Sequence, residues 1–491
     1  MKANYRVNMT PQFRVLSDDQ IEEIFHASLE VLGRTGARIY GQEGLALLRD
    51  AGCHITQEDS GSQARGIVRI PAGLVKESLN TTPSRVTLAG RDREKRLTLQ
   101  KDQFYFGTGS DCPSLLDPYT GKLRKYTYDD VYNAARISDA LPNIDFHMSL
   151  GLTSGVTRHV YDRHQFLAML SGTSKPFVIT TVDKSGLVDQ YKMACEVLGG
   201  PDEFAAAPLF VVYIEPSSPL SNSIEAVEKI LYAAEMGIPA IYTPCIMCGG
   251  TGPATMAGVM VQALAEHLVG VVLAQLKRKG APVIMGGVLS PMDMATSIMS
   301  YGAPELALVC AAMTDVSKWL GVPMFSAAGC SDAKILDEQA AIEASISITL
   351  AALSGASLIH DVGFLESALL GSFDMLVMSD EIISMAKRIM RGVAVTPETL
   401  AVGEIHQVGP GGHYLTREHT RQHFRSEMWM PTLMDRQMRR AWEAGGSQSM
   451  ADRIRARVLD ILENHEPTPI PQTARAGLLE IIAQAEVRYA S

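Results

Sequence analysis

The chain reads as an α/β protein: a (β/α)8 TIM barrel with an N-terminal α/β layer and a C-terminal helical extension. Three observations predict this. After Asp102, eight short apolar, β-branched or aromatic runs follow one another, each succeeded by a segment of helical periodicity. Alternating strands and helices imply parallel strands joined by crossover helices, and eight such units close on themselves. No Gly-x-Gly-x-x-Gly opens a helix after the first strand, which disfavours the doubly wound alternative.

The strand candidates are Phe104–Gly109, Ile144–Leu150, Phe177–Thr181, Leu209–Glu215, Ala240–Thr243, Val283–Gly286, Met324–Ala328 and Leu358–Val362. Between them, Ser223–Met236, Ala257–Lys279, Glu338–Leu353 and Met378–Met390 carry helical spacing. Ahead of the barrel, the pattern is helical from Leu16 to about Gly52. Ser17 is its N-cap, Ile21, Ile24, Phe25, Leu29 and Leu32 share its face, and a second helix covers Gly44–Ala51. Ile67–Leu99 reads as short strands around another helix. Residues 1–99 form a layer packed on the barrel, 100–447 the barrel, and 448–491 two helices. Pro467, Pro469 and Pro471 separate those helices, because proline cannot sit in a helix interior.

Composition narrows the function classes. The 491 residues are 46% hydrophobic and 20% charged, an ordinary globular balance. A net charge of −10 argues against nucleic acid, and no basic run suits an anionic membrane. MKANYRVNMTPQF lacks the apolar core of a signal peptide, and no run reaches the length of a membrane span. Seven scattered cysteines do not resemble a disulfide framework, so a cytoplasmic protein with reduced thiols is expected. The 24 methionines suit gap-filling in the core.

In a barrel of this kind the site lies at the C-terminal ends of the strands. There the first loop, Gly107-Thr108-Gly109-Ser110-Asp111, is rich in exposed backbone N–H groups that suit a carboxylate; its plain alternative is a tight turn. The fourth strand ends in Tyr213-Ile214-Glu215. The eighth carries His360-Asp361, and since adjacent strand residues point to opposite faces, His360 is the one expected to look inward. Tyr105, Phe106, Tyr213, Tyr242, Phe325, Phe364 and Phe373 bring aromatic faces near strand ends, as binding of a quaternary ammonium requires.

Other motifs have weaker chemistry. Cys245-Ile-Met-Cys248 is a lone Cys-x-x-Cys; Cys330 at the end of the seventh strand is a third candidate zinc ligand, and no second pair exists. Four of the twelve histidines fall between His406 and His423, around a Gly409-Pro410-Gly411-Gly412 turn. His419 and His423 lie one helical turn apart, but Thr420 replaces the glutamate of a zincin, and a helix capped by Thr416 is the simpler reading. Gly249-Gly250-Thr251-Gly252 lacks the lysine of a phosphate loop.

Four segments together resemble the trimethylamine methyltransferase family: LSDDQIEEIFHASLEVLGRTGARI (16–39), FGTGSDCPSLLDPYTGKLRKYTYDDV (106–131), LIHDVGFLESALLGSFDMLVMSDEI (358–382) and HQVGPGGHYLTREHTRQHFRSEMWMPTLMDR (406–436). The resemblance implies a (β/α)8 barrel that passes a methyl group from an amine to the cobalt of a separate corrinoid protein. Where relatives acting on trimethylamine carry pyrrolysine, the matching segment here is Gly363-Phe364-Leu365-Glu366-Ser367. This implies the non-pyrrolysine branch, whose substrates are quaternary amines such as glycine betaine.

On that reading Tyr105, Phe364 and Phe373 hold the cation, and Tyr213 and Glu215 also belong to the substrate-binding set. Gly109, Ser110, Asp111 and His360 lie around the other end of the substrate. Gly411, Gly412 and His413 face the corrinoid partner at the barrel mouth. Cob(I)alamin comes with the partner, so the chain needs no tightly bound cofactor, catalytic base or metal of its own. A symmetric homo-oligomer is expected. Two rivals remain: a zinc-thiolate methyltransferase using Cys245, Cys248 and Cys330, and a non-catalytic betaine- or corrinoid-binding protein.

Overall fold

The computed structural model describes residues 10–59 and 64–490. The signal-peptide reading of the first residues therefore falls mostly outside the described chain. At the centre lies a curled sheet of seven parallel strands: Tyr105–Thr108, Phe177–Ile179, Phe210–Ile214, Ala240–Tyr242, Val283–Gly286, Met324–Ala327 and Leu358–Val362. Starting from Tyr105–Thr108, the spatial order runs next to Leu358–Val362 and then backwards through the sequence to Phe177–Ile179.

The remaining candidate, Ile144–Leu150, forms no regular strand. It is tied to both outer strands by single bridges, Gly107 with Phe146 and His147 with Phe177. The Thr108 hydroxyl explains the interruption: it accepts from Met148 N at 2.8 Å and donates to Met148 O at 2.7 Å, replacing a backbone ladder at that point. Leu150, with φ of 60°, then turns the chain away.

One mouth of the curled sheet is plugged. The hairpin Val86–Ala89/Arg96–Leu99 inserts Val86, Leu88, Leu97 and Leu99 against Phe146, Val178, Val211, Ile241, Ile284, Phe325 and Leu358. These strand residues alternate with residues that face the helices, as period-two geometry requires. The interior is therefore a packed floor at the N-terminal ends of the strands.

Helices follow the strands as the periodicity predicts, among them Ile224–Met236, Met256–Lys277, Glu338–Ser354 and Phe373–Met390. The last begins five residues before its periodic stretch because Ser372 caps it, accepting from Met375 N. Met256–Lys277 is apolar almost all round, and among the described residues it alone has the length and hydropathy of a membrane span. Most of it is buried in the fold, between the sheet and the N-terminal helices Asp18–Glu30 and Ala72–Thr81. At Gly270 it approaches so closely that a Cβ would lie 2.2 Å from Tyr242 Cγ.

Ser17 caps Asp18–Glu30 in a capping box with Gln20. The helical pattern does not run on to Gly52, because Ala37–Tyr40 is a strand. Gly36 makes the break: φ is 80°, and a Cβ would meet Val68 O at 2.6 Å. Ala37–Tyr40 pairs with Arg65–Arg69 on one side and with Ser221–Asn222, from the barrel side, on the other.

Two helices, Met450–Asn464 and Gln472–Ala490, flank the three prolines as expected. The second is anchored by a buried ion cluster. Arg163 is fully buried and reaches Asp162 at 2.8 Å and Asp189 at 3.1 Å, and Asp189 also pairs with Arg488.

Residues 392–447 form an arm. Its helices Val402–Val408, Glu418–Glu427 and Arg439–Ala444 contain no buried residue. Thr416 is not a cap: the helix starts at Glu418 with Arg417 in the cap position and no side-chain bond. The arm is fastened to the C-terminal half of Phe373–Met390. Arg388 donates to Glu427 O, Trp429 Nε1 to Ser384 Oγ, and the amides of Thr432, Leu433 and Met434 to the Glu381 carboxylate.

Candidate functional site

Three rings line the inner wall of the sheet above its floor. Tyr213 and Phe325 lie 5.8 Å apart between centroids, and Phe325 stacks on His360 at 3.9 Å and 8°. The Tyr213 hydroxyl donates to Glu215 Oε2 at 2.7 Å. The Glu215 side chain is reachable by water yet ringed by protein, as expected of the wall of an internal hollow. Desolvation pushes its carboxyl above the ordinary range, opposed by the Tyr213 hydrogen bond.

His360 and Asp361 do not point to opposite faces. Pairing with Tyr105–Thr108 slips between Ile359 and Val362, and Asp361 adopts φ of 75°. That irregularity suspends the alternation and brings Asp361 Oδ1 to 2.6 Å from His360 Nδ1. Both residues are buried, and neither His360 Nε2 nor Asp361 Oδ2 has a hydrogen-bond partner among the described residues. Unsatisfied buried polar atoms of this kind mark a place where a ligand can repay their desolvation.

A loop after Val283–Gly286 supplies Tyr301. Its amide donates to Asp332 Oδ1 at 2.8 Å, and its carbonyl accepts from Cys330 Sγ at 3.4 Å. Its hydroxyl is held protonated by burial, with Cys245, Asp361, Cys330 and Glu215 adding to the effect. Burial likewise raises the Cys245 thiol, reinforced by the charges of Glu215 and Asp361. Cys245 and Tyr301 thus lie under the influence of both carboxylates.

Burial raises the Cys245, Cys248 and Cys330 thiols alike. Among the described residues no three His, Cys, Asp or Glu side chains converge as metal ligands.

Around the first loop, the candidate residues meet a different fate. Phe364 packs its ring onto Gly109, where a Cβ would lie 2.1 Å from Phe364 Cζ. The Asp111 amide is committed to Ser149 Oγ and the Cys112 amide to Leu150 O, so those two do not contribute to an open anion nest. The Asp111 carboxylate accepts from Gln165 Nε2 at 3.1 Å, and burial pushes it upward. Ser110 is half-buried beside it.

Three expectations of position are corrected. Tyr105 opens its strand at the plugged end, and its hydroxyl accepts from Thr98 N at 3.2 Å, far along the strand from Gly109. Tyr105→Phe is therefore expected to leave substrate KM unchanged and cost about 1 kcal/mol of stability, checked by steady-state kinetics and urea unfolding. Phe373 is the first residue of its helix and is buried in the core between sheet and helices, away from the Tyr213–Phe325–His360 stack. Gly411, Gly412 and His413 sit in the arm, which is rooted on the half of Phe373–Met390 remote from the strand ends. The helix runs antiparallel to the strands, so its C-terminal half descends towards the plugged mouth, where Lys387 reaches Asp145.

Phe106 and Tyr242 face outward, Tyr242 donating to Asn222 Oδ1. Sequence reasoning missed Tyr301 and set Asp361 aside. Nothing in Ser300-Tyr301-Gly302 signals a site, because only the loop's tether to Asp332 brings it inward.

Aromatic and acidic side chains thus converge above the plugged floor, at the strand ends of a parallel α/β sheet, an arrangement that suits an enzyme of small-molecule chemistry. The family model for trimethylamine methyltransferase matches residues 1–489, and the chain belongs to that family. The trimethylamine methyltransferase of Desulfitobacterium hafniense is 33% identical over 473 residues, covering 96% of this chain and 94% of the relative. That of Methanosarcina barkeri is also 33% identical, over 97% of this chain and 96% of the relative. A glycine betaine methyltransferase of Desulfitobacterium hafniense strain Y51 is 30% identical over 97% of this chain and 98% of its own. The crystal structure of the monomethylamine methyltransferase of Methanosarcina barkeri shares the fold, with a TM-score of 0.53 and 11% identity over 93% of this chain and 89% of that one.

Proposed function

We propose that this chain transfers a methyl group from a quaternary amine, glycine betaine or a related betaine, to the Co(I) of a separate corrinoid protein. The observation that carries the proposal is the hollow itself. Tyr213 and Tyr301 offer aromatic surface beside the buried Phe325–His360 stack, Glu215 and Asp361 offer negative charge, and no activated nucleophile lies among them. Aromatic faces and a carboxylate attract a quaternary ammonium without needing a hydrogen bond from it.

A quaternary nitrogen that gives up a methyl electrophile leaves as a neutral tertiary amine, so the chain has no proton to supply. Cob(I)alamin on the partner would provide the nucleophile. Glu215 and the rings hold the ammonium, and the unpartnered His360 Nε2 takes the carboxylate of a betaine while Asp361 faces Nδ1. Fixing both ends orients the methyl, a contribution that can reach several kcal/mol. Phe364 fills the space over Gly109 at the position matching pyrrolysine, which supports a substrate other than trimethylamine.

In this reading Phe146 and His147 act as the eighth stave of a closed barrel. Residues 1–99 buttress it and 448–491 clamp its outer helices. The test is demethylation with cob(I)alamin and a panel of trimethylamine, glycine betaine, proline betaine, carnitine and choline, followed by methylcobalamin absorbance. Turnover of one quaternary amine with trimethylamine inert is expected. Turnover of trimethylamine alone, or silence from a folded sample, rejects the proposal.

A further inference from the structure

We propose that the corrinoid-carrying partner docks on an apolar rim formed by Met294, Ile298, Ile335 and Leu369. The inference rests on the methyl-transfer reading and deepens it by locating the partner's footprint. These side chains are 78%, 51%, 58% and 52% exposed. They belong to the loops following the strands Val283–Gly286, Met324–Ala327 and Leu358–Val362. A lone exposed apolar residue is ordinary, but four on neighbouring loops around one opening form a surface.

Asp332 makes these loops neighbours. Its Oδ1 accepts from Tyr301 N and Ser367 Oγ, both at 2.8 Å, and its Oδ2 accepts from Ser300 Oγ. Its own amide donates to Glu343 at 2.9 Å. One buttressed carboxylate therefore pins the segments that lead to Ile298, Ile335 and Leu369. Beneath Leu369, Glu366, Ser367 and Ala368 all adopt left-handed φ, at 48°, 52° and 69°. Such a run is unfavourable for L-residues. It is held by Glu366 N to Ala333 O, Ser367 N to Ser331 O and Cys112 Sγ to Ala368 O. The strained turn fixes Leu369 outward.

The occupant follows from the route. Since the hairpin Val86–Leu99 closes the other mouth, a cobalt centre approaches from the strand-end side, which these loops border. The loop with Ile298 ends in Tyr301, and the one with Leu369 begins beside Phe364, so a partner seated there lies over the hollow. The charges on the rim are fixed by local hydrogen bonds: Asp293 accepts from Ala295 N and Thr296 Oγ1, which favour its ionised form, and Lys334 Nζ donates to Asp332 O. The hydrocarbon of Met294, Ile298, Ile335 and Leu369 beside them suits an apolar patch on the protein that carries the corrinoid.

The test uses Ile298→Asp/Leu369→Asp in the full chain, with Leu415→Asp on the exposed arm as the control. Binding to purified, cobalamin-loaded corrinoid proteins is measured by biolayer interferometry, and methyl transfer is measured separately with free cob(I)alamin. The rim variant is expected to weaken binding at least about tenfold and to keep turnover with free cob(I)alamin within about twofold. Unchanged binding overturns the proposal, as does loss on Leu415→Asp alone, or failure of the wild type to bind any corrinoid protein. Equal loss of both readouts also overturns it, because the rim would then shape the hollow. Rim-dependent binding without turnover of any amine would uphold the surface and reject the methyl-transfer reading.

Discussion

Glu215→Gln is expected to lower kcat/KM for the quaternary amine about 30- to 100-fold, roughly 2–3 kcal/mol, while raising the melting temperature. Both effects have one cause. Glu215 is reached by water yet flanked by protein, accepts one hydrogen bond from Tyr213 and is pushed above its ordinary pKa by desolvation. A raised folded-state pKa means that the folded chain holds this proton more tightly than the unfolded chain. The stability tied to the protonated form is present at acid pH and is lost as pH rises from the unfolded towards the raised folded pKa. At neutral pH the ionised carboxylate is therefore a cost to folding, and glutamine removes it. Cation binding needs that same ionised form, so wild-type kcat/KM should fall as pH drops through the raised pKa. Parallel pH–rate profiles and thermal scans of both proteins test this. Equal kcat/KM for the two would remove Glu215 from the site.

The second large effect concerns stability. Arg163→Met is expected to destabilise the fold by about 3–5 kcal/mol, because it strands two buried carboxylates. Arg163 is itself fully buried and contacts Asp162 and Asp189, both also buried. Asp162 further accepts from Val182 N and Thr181 Oγ1, so it cannot swing out to water without loss. Arg488→Ala, at the partly exposed edge of the cluster, should cost much less. A shift in the urea midpoint for Arg163→Met no larger than that for Arg488→Ala would refute the assignment.

The fold was legible wherever periodicity is local. Continuous apolar runs such as Leu209–Glu215 and Leu358–Val362 became strands because β-branched and apolar residues fit a parallel sheet covered on both faces. Ile144–Leu150 carried the same signal and failed to become a regular strand, because a threonine hydroxyl on the neighbouring strand intercepted its ladder. No property of the segment itself records that.

The site was half legible for a similar reason. Tyr213, Glu215 and His360 stand at strand ends, where alternation alone points to the hollow. Asp361 was excluded by that same rule and entered because a left-handed residue breaks it. Tyr105 carried the right chemistry at the wrong end of a four-residue strand. Gly411, Gly412 and His413 belong to an arm whose path depends on tertiary bonds to Arg388, Ser384 and Glu381, beyond the reach of local pattern.

The hairpin plug also has a kinetic meaning. Val86, Leu88, Leu97 and Leu99 turn the hollow into a cul-de-sac. For the proposed reaction, amine, demethylated product and cobalt carrier all share a single doorway. A carrier seated there bars traffic behind it, so the amine has to arrive first and the product has to wait until the carrier departs. Turnover becomes a queue of fixed order, imposed by the architecture before any side chain touches the reacting methyl.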